Sequence, residues 1–233
     1  MLSVNALSVA YGPIRALEGV TLDLAVGTSA LLAGANGAGK STLLRAISGL
    51  AVPTEGDIQF EGVSIRRLPP HRIAALGIAH VPEGRRIWPT LTVREHLQLA
   101  GNHVASGRRR ALTDHIVDLF PRLKERWTQD AARLSGGEQQ MVAIGRGLAA
   151  DPKLLLIDEL SLGLAPVVVK QLFSALDRIN AEGVALLIVE QALWAALPHA
   201  GYGYVLERGR LVIQGTPDQL RASEAVRKAY LTL

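Results

Sequence analysis

Residues Gly34-Ala35-Asn36-Gly37-Ala38-Gly39-Lys40-Ser41-Thr42 constrain this chain more than any other stretch, because they fit the spacing G-x-x-x-x-G-K-[ST]. Glycine lets successive backbone N–H groups curl around phosphate oxygens without a Cβ in the way, and a lysine at this spacing reaches the β- and γ-phosphates. The flanks agree. Residues 28–33 form a short apolar run that reads as a strand, and 41–47 carry helical spacing. A strand, a glycine loop and a helix in that order aim the helix dipole and its unpaired N–H groups at an anion, and leave Ser41 able to offer its hydroxyl to Mg²⁺. The alternative is a glycine-rich turn that happens to precede a lysine.

A second constellation lies downstream. Leu154-Leu155-Leu156-Ile157 runs into Asp158-Glu159, which reads as a buried parallel strand delivering two carboxylates to its C-terminal edge, where ligands of open α/β sheets bind. Asp158 is placed to hold Mg²⁺ through water, and Glu159 to polarise the water that attacks a γ-phosphate. A solvated acidic pair at a strand end is the alternative. Between the two segments, Leu134-Ser135-Gly136-Gly137-Glu138-Gln139-Gln140 heads an apolar helix through Met141, Val142 and Ile144. Its serine and glycine backbone make a second N–H-rich anion cradle.

With these three segments in this order, the chain resembles the ATP-binding subunits of ABC transporters over essentially its whole length. The Leu-Ser-Gly-Gly-Glu-Gln segment is that family's signature and separates it from other phosphate-loop proteins. The resemblance implies an α/β P-loop NTPase (RecA-like) core with an antiparallel β subdomain and an inserted α-helical subdomain. It implies ATP and Mg²⁺ as ligands, with Leu134, Ser135, Gly136, Gly137, Glu138 and Gln139 of one copy closing over the ATP held by Gly34 to Thr42 of another. The implied partners are a second ATPase subunit, two integral membrane permease subunits and, indirectly, an extracytoplasmic solute-binding protein.

Composition narrows the setting. A chain of 233 residues with 48% hydrophobic content suits one large α/β unit with a small subdomain. No apolar run approaches the roughly 18 residues that span a bilayer, and no basic-then-apolar leader opens the chain. The expected location is therefore the cytoplasmic face of the inner membrane, held peripherally. Absence of cysteine excludes disulfides and thiolate metal sites. The formal charge of +4 comes from arginine. The runs Arg66-Arg67, Arg85-Arg86 and Arg108-Arg109-Arg110 lack interleaved aromatics, which make up only 4% of the chain, so solvated faces are expected before membrane contact, and no nucleic-acid partner.

The expected organisation is a single 1–233 unit in which 1–84 and 148–233 form the nucleotide-binding core and 85–147 the helical subdomain. Residues 2–23 alternate as antiparallel strands about a Gly12-Pro13 turn, and 56–62 adds another. Residues 101–110 read as a polar break between helices. Further on come a helix over 167–179, a strand over 184–190 and a hairpin around 207–210. By family position Tyr11 stacks on adenine; ordinary strand packing is the alternative.

Several residues depart from the family's commonest pattern. Glu83 stands where glutamine is usual and still offers Mg²⁺ an oxygen; a simple pairing with Arg85 or Arg86 is the alternative. Gln191 replaces the usual switch histidine, and its amide donates to a γ-phosphate oxygen without becoming cationic, unless it only caps a helix. Leu160 replaces a proline, and Ala165 an aspartate, which leaves backbone or Ser161 for contact across a dimer. The set Val-Pro-Glu-Gly-Arg-Arg-Ile, Ser-Leu-Gly-Leu-Ala-Pro and Val-Glu-Gln looks like the smaller ATPase subunit of branched-chain amino-acid importers. Trp88 is a candidate contact to a membrane partner, with core packing as its rival. Gly145 and Gly147 inside the signature helix imply either close packing or a soft helix.

Overall fold

The computed structural model describes residues 1–230. Two sheets form its frame. The smaller is antiparallel, with β1 (Leu2–Tyr11), β2 (Ile14–Leu24), β4 (Glu55–Phe60) and β5 (Val63–Ser64) in the order β2-β1-β4-β5. Tyr11 pairs with Ile14 across the Gly12-Pro13 turn.

The larger sheet holds β3 (Ser29–Ala33), β6 (Ile78–Val81), β7 (Leu154–Asp158), β8 (Ala185–Glu190), β9 (Tyr202–Glu207) and β10 (Arg210–Gly215), ordered β10-β9-β3-β8-β7-β6. Strands β9, β3, β8, β7 and β6 run parallel and β10 is antiparallel. The strands are apolar on both faces because both are covered. Leu31, Leu155, Ile157, Leu186 and Ile188 join one buried cluster, and Leu32, Leu154, Leu156, Leu187 and Val189 join the other. That alternation is the two-residue period of a strand. The second cluster is closed by α1 (Lys40–Ile47) and the antiparallel sheet, and the first by α6 (Gly136–Ala149) and α7 (Pro166–Ala181).

The remaining helices are α2 (Pro70–Ala75), α3 (Val93–Ala100), α4 (Ser106–Leu119), α5 (Pro121–Glu125), α8 (Leu193–Ala196), α9 (Pro217–Ala222) and α10 (Glu224–Tyr230). Helices α3 to α6 lie between β6 and β7 in the chain. Thr92 caps α3 in a reciprocal box with Glu95. Among the described residues no helix is long and apolar enough to cross a membrane.

One expectation needs correction. The polar stretch 101–110 is a break only as far as Ala105. From Ser106 it is the first turns of α4, where Arg108 pairs with Asp151 at 2.7 Å. Strand β6 was not expected, because the four residues Ile-Ala-His-Val show no alternation.

The two glycines of α6 reflect close packing. A Cβ on Gly145 would lie 2.9 Å from Ile116 and 3.2 Å from Leu97, and one on Gly147 2.8 Å from Leu155 and 3.1 Å from Val81. Gly145→Ala is expected to lower stability by about 1 kcal/mol: overpacking costs roughly 1–3 kcal/mol against roughly 1 gained in helix propensity. Gly107→Ala in α4, where an added Cβ meets nothing within 4 Å, should be neutral or slightly stabilising. Urea unfolding of both variants checks the contrast.

Candidate functional site

Four neighbouring strands of the larger sheet end on the same edge. β3 runs into Gly34 to Ser41, β8 into Gln191, β7 into Asp158 and Glu159, and β6 into Glu83. Register keeps the ends level: Ala33 lies beside Glu190, Asp158 beside Val189, and Val81 beside Ile157. Ligands of such sheets bind at this edge, beside the strand where the order reverses.

Space at the glycine loop is tight. Gly39 caps α1 at φ 109°, and a Cβ there would come within 2.6 Å of the Ala16 carbonyl and 2.8 Å of Leu17. A Cβ on Gly34 would meet the Leu206 carbonyl at 2.5 Å. The backbone N–H groups are therefore presented without side-chain cover, at the N-terminus of a helix with no acidic residue in its first turn. Lys40, only 4% exposed, donates from Nζ to the carbonyls of Gly34 (2.8 Å) and Ala35 (3.2 Å) and lies 3.2 Å from Glu159 Oε1. Lysine and glutamate from adjacent motifs thus meet across the site. Asn36 and Gly37 are exposed and Ala38 is buried. Thr42, half-buried, follows Ser41 in the first turn of α1.

Burial raises the Asp158 carboxyl above the usual range, and the nearby carboxylates of Glu159 and Glu83 push the same way, while Ser41 and Lys40 oppose them. Asp158 Oδ1 is buried with no hydrogen-bond partner. An orphaned carboxylate oxygen amid like charges is a site that a hard cation would relieve. Among the described residues no cluster of three or more His, Cys, Asp or Glu stands ready to hold a metal. Asp158, with the Ser41 hydroxyl beside it, is a hard oxygen donor set of the kind that fits Mg²⁺, which keeps waters and phosphate oxygens as its other ligands.

Glu83 does not pair with its arginines. Arg85 donates instead to Gln139 Oε1 at 3.0 Å, and the Arg86 carbonyl accepts from Arg146 at 2.7 Å. Gly84, Arg85 and Arg86 all have positive φ. Trp88 is 48% exposed; the Arg146 guanidinium sits 5.0 Å from its ring, the buried His96 ring lies 5.7 Å away, and the Trp88 backbone N–H donates to His96 Nε2.

The signature segment caps α6. Ser135 Oγ accepts from the Glu138 N–H, and Glu138 Oε2 accepts from the Ser135 N–H at 2.8 Å. Burial alone would raise the Glu138 carboxyl, but these bonds and Arg126 hold it below the usual range. Leu134 is buried, and a Cβ on Gly137 would lie 2.6 Å from Val168. A Cβ on Gly136 would lie 3.0 Å from Arg85. The contacts of this segment run to Arg85, Arg126, Ala131 and Val168, none of them in the glycine loop.

Tyr11, the last residue of β1, is 46% exposed at the hairpin tip. Gln191 is exposed and does not cap α8, whose cap is Ala192. Leu160 is buried. Ser161 is engaged within its own chain: its N–H and hydroxyl both donate to the Glu190 carboxylate at 2.8 Å. Sequence reasoning passed over Glu190. The signal was present, because a carboxylate ending an otherwise apolar strand must find partners.

Comparison with known proteins gives a consistent result. Residues 17–161 match the ABC transporter family. BraG of Pseudomonas aeruginosa, a high-affinity branched-chain amino acid transport ATP-binding protein, is 46% identical over 231 residues, covering 99% of each chain. LivF of Archaeoglobus fulgidus, a probable branched-chain amino acid transport ATP-binding protein, is 33% identical over 98% of this chain and 97% of its own. Among solved structures, the ADP conformation of the ATP-binding cassette MJ1267 superposes with a TM-score of 0.89 at 25% identity, covering 100% of this chain and 99% of the other.

Proposed function

Because the chain belongs to the ABC transporter family, whose ATP-binding subunits bind and hydrolyse ATP, we propose that it powers uptake of branched-chain amino acids or closely related small solutes through partner membrane subunits. The observation that carries this reading is the 46% identity to BraG along the full length of both chains.

In the proposed site, Gly34, Ala35, Asn36, Gly37, Ala38, Gly39, Lys40, Ser41 and Thr42 hold the phosphates, and Tyr11 stacks on adenine. Ser41, Asp158 and, from the β6 side, Glu83 would hold Mg²⁺. When bound, that ion neutralises charge on the phosphate oxygens. Glu159 accepts a proton from the attacking water as its oxygen bonds to the γ-phosphorus and the bond to the β-phosphate oxygen breaks, yielding ADP and phosphate. Lys40 sits against Glu159 and the loop carbonyls, so it can serve the γ-phosphate while keeping the base oriented. Gln191 donates to a γ-phosphate oxygen without titrating.

Leu134 to Gln139 complete the site of a second copy or paralogue. Their position at a helix N-terminus, away from their own glycine loop, supports this division. Residues 85–147 then act as the helical subdomain, and the ties Arg85 to Gln139 and Arg146 to Arg86 make the Glu83 loop and the signature helix move together. The exposed Trp88 on that loop is the proposed contact to a permease subunit, and its assembly would lie at the cytoplasmic face of the membrane.

A pull-down from native membranes with the Glu159→Gln protein and ATP tests the reading. Recovery of polytopic permease subunits and a paralogous ATPase is expected. Recovery of ribosomes or DNA alone would overturn it.

A further inference from the structure

We propose that Glu190 is a positioning residue for ATP hydrolysis, holding the backbone that carries Glu159 and Gln191 through its bonds to Ser161; this rests on the reading of Glu159 as the general base.

Glu159 adopts φ 50°, a left-handed conformation that costs a residue with a Cβ about 1–3 kcal/mol and persists only where neighbours over-determine it. Two residues, Glu159 and Ser161, are pinned to the end of β8 with a buried leucine between them. The Glu159 N–H donates to the Val189 carbonyl at 2.9 Å. The Leu160 side chain is buried in the core, 1% exposed. Ser161 then engages both carboxylate oxygens, its N–H on Oε1 and its hydroxyl on Oε2. Glu190 itself is 2% exposed.

Burial raises the Glu190 carboxyl above the usual range while its two bonds from Ser161 oppose that, and burying such a group costs stability unless it is hydrogen-bonded. Its sequence neighbour is the exposed Gln191, and its partner Ser161 lies two residues past Glu159. One buried group therefore joins the segment after the base to the residue proposed to sense the γ-phosphate. A shift of either segment must break two 2.8 Å hydrogen bonds to a buried carboxyl. The base and the switch amide accordingly keep one mutual geometry.

Steady-state ATPase kinetics of the intact chain tests the role. Ser161→Ala and Glu190→Gln are each expected to lower kcat about tenfold, the effect of roughly one hydrogen bond to a charge, with the KM for ATP within about twofold. Combined, they should lower kcat no further than the worse single variant, because both break one link. Ser161→Ala removes only a hydroxyl, so its effect does not depend on a folding failure at Glu190. Wild-type kcat in both single variants, a rise confined to KM, or independent multiplication of the two losses overturns the role. Glu159→Gln, run alongside, separates the premise: turnover surviving that change overturns the assignment of the base and this inference with it.

Discussion

Glu159→Gln is expected to lower ATP turnover by about 10²–10⁴-fold, the range general-base catalysis supplies, and to leave an ATP-bound dimer that no longer dissociates. The carboxylate is 11% exposed and its Oε1 sits 3.2 Å from Lys40 Nζ. Glutamine keeps the size and an acceptor oxygen, so the P-loop contacts survive. It cannot accept a proton at neutral pH. Binding therefore proceeds while the chemical step stalls. It also removes one negative charge from beside Asp158, whose carboxyl is raised partly by Glu159. Relief of that repulsion favours phosphate at the site, so ATP affinity should rise or hold. Size-exclusion chromatography with ATP, together with single-turnover hydrolysis, checks both halves. A monomer with ATP, or turnover within tenfold of the unmodified protein, would remove Glu159 from the role.

Legibility in the sequence follows the range of the interactions. The glycine loop was readable because positive φ at Gly39, a helix start at Lys40 and an N-terminal anion cradle are all local consequences of residue type. Ser135 with Glu138 three residues on was equally local, a reciprocal cap that any chain of this pattern makes. The buried strands announced themselves as unbroken apolar runs. What could not be read were ties between distant segments. Arg85 and Gln139 are 54 residues apart, and Ser161 and Glu190 are 29 apart, so no spacing rule connects them. The start of α4 was misplaced because Ser106 to Arg110 is polar without periodicity, and its helix is favoured by docking and by the Arg108 pair with Asp151. Gly145 and Gly147 showed that something was unusual, but only the proximity of Ile116, Leu97, Leu155 and Val81 says what.

Lys40→Ala should act in the opposite direction, preventing the dimer that Glu159→Gln traps. Lys40 is 4% exposed, and its three Nζ contacts are Gly34 O, Ala35 O and Glu159. A hydrogen bond from a charged donor contributes about 1.5–3 kcal/mol, so losing the contact to the β- and γ-phosphates should weaken ATP binding by about 10- to 150-fold. In the proposed head-to-tail pair that loss would enter twice, because each ATP would bridge one copy's glycine loop and the other's signature segment. Dimerisation at millimolar ATP should therefore disappear even where some monomer binding remains. The truncation also leaves Glu159 beside an unneutralised Asp158, which further disfavours a polyanion. Lys40→Arg keeps the charge but not the compact shape needed between Gly34 and Glu159, and is expected to recover little. Equilibrium binding of a fluorescent ATP analogue, paired with sedimentation at high ATP, separates the two effects. Retention of an ATP-dependent dimer by Lys40→Ala would mean that the loop's backbone N–H groups suffice, and that the lysine serves chiefly to orient Glu159.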